Sequence, residues 1–342
     1  MGGMDEPEPV EGIDVPRTNL EFDQRFDSEA ACRRYLERAR WPDGFVCPNP
    51  DCVGRSAWLT ARGLHRCAAC GRQTSATAGT ILAGTRKPLR AWFEVLWLVA
   101  GNDGVSAETV RTALGLGSYQ TAWAWLHKIR RALATVALES LTGIVELGVI
   151  DLKSVESSAR RTSARPTLVA MALEVGEPNG RLRLSRLANR GPASVERFAS
   201  QAVAPRTRLR TTAKLRPGLI GRGYLLDPVT APTGGDVGLP SLDVVARLLD
   251  EWVVGTHHGA IRRQQLDFYL AEFAFRFNER ASPPGLRFDR LLEAALAAAP
   301  RSARSLVGRT VARRRRPPGR RPHDVSALLA DPTSLLAQPR AG

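Results

Sequence analysis

The sequence predicts a multidomain α+β protein, and three observations carry that reading. Four cysteines fall in two close pairs between Cys47 and Cys70. Helical periodicity runs from about residue 87 to 142, and from about residue 144 short β-like runs alternate with helices. At 342 residues the chain is long enough for two or three domains, each with its own core. The predicted division is a disordered acidic N-terminus over 1–25, a cysteine module with a preceding helix over 26–86, a helical segment over 87–142, an α/β core over 143–299, and a basic, disordered tail over 300–342.

The first helix is predicted in FDSEAACRRYLERAR, Phe26 to Arg40, where Asp27 or Ser28 can cap it and Ala31, Tyr35, Leu36 and Ala39 recur at helical spacing. Cys32 on that helix reads as a packed apolar residue. PLRAWFEVLWLVAGN starts a second helix at Pro88 with an apolar stripe of Trp92, Val95, Leu96 and Val99. SAETVRTALGL is a short helix capped by Ser106 and stopped at Gly115 or Gly117, and SYQTAWAWLHKIRRAL is the next. IVELGVIDL, RPTLVAMALEV, GRLRLSRLAN and RTRLRTT read as strands, with a helix in GPASVERFASQAV before the last of them. LPSLDVVARLLDEWVVG and RRQQLDFYLAEFAFRFNER close the core as helices. In the second of these, the Phe, Tyr and Leu stripe is core material.

The cysteines carry the strongest chemical signal. Cys47, Cys52, Cys67 and Cys70 follow C-x4-C, fourteen residues, then C-x2-C, with Pro48, Pro50, Gly54 and Gly71 supplying tight turns. Two such turns bring four thiolates to the tetrahedron that zinc accepts at about 2.3 Å. Four sulfur ligands leave no position for a water, so this pattern predicts a structural Zn²⁺ in a zinc ribbon, with WLTARGLHRC as its strand material. His65 reads as a surface ring beside the ligands.

The formal net charge is +15, with 49 Lys and Arg against 34 Asp and Glu, which points to a polyanionic partner. The excess is uneven. Residues 1–30 carry nine acids and two Arg, residues 153–223 carry fifteen Lys and Arg against four acids, and residues 301–322 hold nine Arg and no acid. No apolar run of about 18 residues exists and the N-terminus lacks the pattern of a signal peptide, so the expectation is a cytoplasmic protein with no membrane partner. A reducing compartment favours metal over disulfide for the paired cysteines. The segment SAETVRTALGLGSYQTAWAWLHKIRRAL has the layout of a helix-turn-helix, an arrangement that an ordinary αα-hairpin shares. In the DNA-binding reading Ser118, Tyr119, Gln120 and Lys128 face a groove while Arg130 and Arg131 meet phosphates.

The ribbon with its continuation GRQTSATAGTIL, the aromatic helix, the helix-turn-helix and the block GTHHGAIRRQQLDFYLAEFAFRFNER follow one another in an order that resembles the zinc-ribbon insertion-sequence transposases of the ISXO group. The likeness runs from about Phe26 to Ala298. It implies a ribonuclease-H-like α/β integrase core in which an Asp-Asp-plus-third-residue set holds two divalent ions, Mg²⁺ or Mn²⁺, for phosphodiester transfer. It also implies double-stranded DNA, in the form of terminal inverted repeats, as the partner, a nucleoid-associated bacterial setting, and room for a homo-oligomer. Here the sequence departs from the family. The first strand of the family reads approximately V-E-V-D-E-T-Y, and its Asp falls on Gly148; the second Asp, near T-D-G-W, falls on Thr212. Glu146 shares the face of position 148 and is the best surviving acid, with Asp250 or Glu251 as companions for an active, shifted set. The favoured expectation is a transposase-family DNA-binding protein that recognises element ends with its catalysis impaired. A zinc-ribbon transcription or adaptor factor is the alternative from another class.

Overall fold

In a computed structural model of the chain, the structure describes residues 15–300 and 306, apart from 86, 103, 153–166, 177–179, 230–238 and 258–260. It begins with α1 (Asn19–Arg25), which lies inside the stretch expected to be disordered. The physical reason is a set of contacts with later helices: Phe22 stacks on Trp97 at 4.8 Å between ring centroids and meets Phe26 and Phe288 edge-on, Asn19 Oδ1 accepts from Trp97 Nε1 at 2.7 Å, and Asp23 pairs with Arg90 at 2.7 Å. The expectations for the first fourteen residues and for most of the basic tail lie outside the described residues.

α2 (Glu29–Arg40) is capped by Ser28, whose hydroxyl accepts from the Ala31 amide at 3.2 Å. Three short strands follow, β1 (Ala57–Leu59), β2 (His65–Cys67) and β3 (Gln73–Thr74), in an antiparallel sheet of that order. Then come α3 (Leu89–Gly101), α4 (Ala107–Ala113) and α5 (Tyr119–Leu133). Pro88 cannot donate at the start of α3, and the Glu29 carboxylate supplies the missing cap by accepting from the Leu89 and Arg90 amides at 2.8 and 3.2 Å. Ser106 caps α4, and Gly115, at φ +57°, ends it.

The second half is a five-stranded mixed sheet. Its strands are β4 (Ile144–Asp151), β5 (Leu168–Val175), β6 (Leu182–Arg186), β7 (Arg208–Thr212) and β8 (Leu225–Val229), in the order β6-β5-β4-β7-β8. The first three pair antiparallel; β4–β7 and β7–β8 pair parallel. α6 (Pro192–Ala202) crosses from β6 to β7 and packs with Val145, Leu147, Val149 and Leu209 on one face. α7 (Pro240–His257) and α8 (Leu266–Asn278) cover the other face against Val169, Met171, Leu173 and Leu182.

α9 (Pro284–Ala297) was not anticipated, and it changes the domain picture. It returns to the N-terminal helices, where Phe288, Leu291, Leu292 and Ala295 share one core with Phe26, Leu36, Trp92, Phe93 and Trp125. The predicted boundary between the helical segment and the α/β core is therefore bridged by the last helix. No helix among the described residues is long and apolar enough to cross a membrane.

Candidate metal centre and nucleic-acid interface

The four thiols of Cys47, Cys52, Cys67 and Cys70 lie within 4.8 Å of one another. Cys47 Sγ is 3.6 Å from Cys70 Sγ, and Cys52 Sγ is 3.8 Å from Cys67 Sγ. A tetrahedron of sulfurs at about 2.3 Å from a central ion has edges of about 3.8 Å, whereas a disulfide needs about 2.05 Å. The spacing fits an ion. The backbone is built for it: the Cys47 amide donates to Gly54 O, the Cys67 amide to Arg72 O, and the Gly71 amide to Cys67 O with Gly71 at φ +72°. The four thiols share their protons: the Arg72 amide helps lower the Cys70 thiol to about 7, while Cys47 and Cys52 are raised, so one thiol ionises ahead of the others. A Cβ at Gly54 would come within 2.6 Å of Cys67 Sγ, so the ligand cradle excludes any side chain there. The four-cysteine cluster of a zinc ribbon is thus present. His65 does not join it. Its Nε2 bonds the Glu37 carboxylate at 2.8 Å and its ring stacks on Phe45, which ties the module to α2. Cys32 is wholly buried, and burial pushes its thiol up to about 12.

Side chains expected to meet DNA divide sharply. Ser118, Tyr119 and Gln120 stand at the exposed start of α5. Lys128 turns inward, its Nζ donating to Ile81 O at 3.1 Å beside the Trp92 ring. Arg131 lies half-buried over the Phe268 ring, with 4.2 Å from Cζ to the ring centroid. Arg130 corrects the expectation outright. It is 2% exposed, its Nε bonds Glu272 Oε2 at 2.5 Å, and its guanidinium covers the Tyr269 ring. It cannot reach a phosphate, because this part of α5 packs against α4, α8 and α9, with Trp125 stacked on Trp92 of α3.

The Arg130 contact belongs to a buried network that the sequence reading missed. Glu272 Oε1 accepts from Arg276 at 2.7 Å, and His127 Nε2 meets the Tyr269 hydroxyl at 3.2 Å. Burial raises the Glu272 carboxyl, but Arg130 and Arg276 outweigh it and hold the group at about 2. Burial, aided by Arg130, drives His127 down to about 3, so its ring is neutral. The available signal was an acid, Glu272, set inside the apolar run YLAEFAF.

In the sheet, Leu147 pairs with Thr211, so Thr212 at the carboxyl end of β7 falls next to Gly148, which is buried in the middle of β4 and pairs with Met171 on its other side. Glu146 is 3% exposed, and its Oε2 accepts from the Leu242 amide at 3.0 Å in the first turn of α7. Asp250 and Glu251 lie on the exposed side of α7. They are eight and nine residues beyond Leu242, about 12–14 Å along the axis. Glu146 therefore cannot share an ion with either, which corrects the shifted acidic set. Among the described residues, the cysteine quartet is the cluster of three or more candidate ligands that the structure brings together.

A four-thiol module seated on helices, joined to a mixed five-stranded sheet, defines a two-part α+β protein with a structural metal centre. Residues 27–73 match the transposase zinc-ribbon domain, and residues 147–278 match the ISXO2-like transposase domain. The chain belongs to the zinc-ribbon insertion-sequence transposases of the ISXO group. A search of curated protein sequences returns no match to it.

Proposed function

We propose that this transposase-family protein binds double-stranded DNA at the terminal inverted repeats of an insertion sequence and has lost the metal-dependent chemistry of cutting and joining it. The observation that carries the second half is the pair Gly148 and Thr212. These neighbours on adjacent parallel strands occupy the places where the family resemblance expects its two aspartates, and neither can ligate a hard cation as a carboxylate does. The strand order β6-β5-β4-β7-β8, with two antiparallel pairings followed by two parallel ones, supports a ribonuclease-H-like core. In this reading the Gly/Thr pair takes the place of the metal-binding acids of such a core.

In this reading the ion of the ribbon is Zn²⁺ held by Cys47, Cys52, Cys67 and Cys70. It builds the module and takes no part in a reaction. DNA contact from the helical segment rests on Ser118, Tyr119 and Gln120 at the tip of α5; Lys128 and Arg130 serve the core.

The test is a nicking and strand-transfer assay on a duplex carrying the flanking repeats, run with Mg²⁺, Mn²⁺ or EDTA, alongside a native binding gel. Repeat-specific binding with no product in any metal is the expected result. Metal-dependent cleavage at the repeat end overturns the loss of chemistry. Absence of binding to any duplex overturns the DNA-binding reading and favours a protein adaptor.

A further inference from the structure

The segment that follows β7 and the turn before α6 carry cations beside the place where metal-dependent phosphodiester chemistry needs carboxylates. Residues 206–222, which span β7 and the turn behind it, hold six Lys and Arg and no acid. Two of the six are committed to ion pairs, Arg208 with Asp227 at 2.5 Å and Arg222 with Glu196 at 2.9 Å. Lys214 and Arg216 are exposed and make no ion pair with a described residue.

Chain connectivity and two contacts gather these charges around the end of β7. Lys214 follows Thr212, the last residue of that strand, by two residues. The turn bearing Arg216 is pressed onto the start of α6, since a Cβ on Gly218 would come within 2.6 Å of Pro192 O. Arg190, just before α6, is exposed and donates from Nη1 to Val149 O at 2.9 Å, one residue past Gly148. Of the acids on β4, Glu146 is buried and bonded to the Leu242 amide, and Asp151 is exposed at the strand end, paired in register with Leu168 on the side away from β7. The balance at this end of the sheet is cationic.

We propose that this strand end is a phosphate seat that holds the DNA backbone without a divalent ion. A carboxylate site is anionic until metals load it and repels phosphate in their absence. Gly148 and Thr212 remove that repulsion, and Lys214, Arg216 and Arg190 supply fixed positive charge in its place. Arg can present a fork to two phosphate oxygens, Lys a point charge, and Thr212 a hydroxyl donor. The inference rests on the DNA-binding reading and adds to it a location and independence from metal.

The experiment uses the full chain and a repeat-bearing duplex in fluorescence anisotropy, titrated across KCl with EDTA or with Mg²⁺ at matched ionic strength. Affinity of the wild-type protein is expected to be the same with EDTA and with Mg²⁺. Removing two phosphate contacts in K214A/R216A should flatten the slope of log K against log salt by about 2 and weaken binding about 30-fold near 0.15 M salt. G148D/T212D should weaken binding in EDTA and recover in Mg²⁺. Zinc content and the thermal melt of each variant confirm that it is folded; both cations are exposed, so their removal leaves the core intact. Wild-type binding that requires Mg²⁺, or an unchanged slope in K214A/R216A, overturns the seat while leaving the DNA-binding reading in place. Failure of the wild-type chain to bind any duplex overturns both.

Discussion

Gly54 and His127 show how much single residues decide here. The Cys67 sulfur that a Gly54 Cβ would approach to 2.6 Å is fixed by its place in the ligand tetrahedron, so the clash cannot relax by rotation of a free side chain. Overpacking of this kind costs about 1–3 kcal/mol, which predicts a roughly 5- to 150-fold loss of metal retention in Gly54→Ala. Competition with a chromogenic chelator measures it, and retention equal to wild type would rule the cradle out. His127 sets a pH response. Its folded pKa, about 3, lies below the ordinary 6.5, so the unfolded chain binds the extra proton. Stability is full above pH 6.5 and falls as the pH drops below it, by about 2 kcal/mol at pH 5. Glu272, at about 2 against an ordinary 4.5, has the same sign but acts only below pH 4.5. Thermal melts between pH 7 and 5 should therefore fall for the wild type and stay nearly level for His127→Gln. Parallel curves for the two proteins would contradict this assignment.

At the scale of elements, two helices owe their starts to acids from elsewhere in the chain. Glu29 serves α3, and Glu146 serves α7 by accepting from the Leu242 amide. Glu146→Ala strips a buried amide of its acceptor and should cost about 1–3 kcal/mol, read as an earlier denaturant midpoint. An unchanged midpoint would show that another group or water serves α7. Glu146 thus acts on a helix and not on a metal, a role that its position on a strand did not disclose. Local signals were legible in the sequence: the Ser28 and Ser106 caps, the Pro88 start, the alternation of β4 to β7 and the cysteine spacing all act over a few residues. Features that depend on distant partners were not. β8, whose edge position needs no strong alternation, and α9, whose stripe fills a core made 200 residues earlier, could be placed only by the fold. The burial of Arg130 was hidden for the same reason, since its partner Glu272 lies on α8, 142 residues away.

For the whole molecule, the decisive fact is that the last helix closes the first core. Phe288 is wholly buried among Phe22, Phe26, Tyr35, Phe93 and Trp97, with ring centroids between 5.4 and 6.2 Å. The Ile81 amide, from the segment after the ribbon, donates to Ala295 O at 3.3 Å. Metal module, helical segment and sheet are therefore coupled through α9 and through the Arg130–Glu272 pair, and a fragment ending near residue 142 exposes the surface that both cover. Phe288→Ala should destabilise the full chain by about 3–5 kcal/mol, the range for an aromatic deleted from a packed core. The fragment 15–142 should bind its metal through the cysteines yet lack a cooperative melt. Full-length protein with α9 intact should melt cooperatively, and supplying residues 143–300 in trans should restore a transition to the fragment. A cooperative melt of 15–142 alone, at a temperature equal to that of the full chain, would mean that the helical core is complete without α9 and that the boundary near residue 142 is a true one.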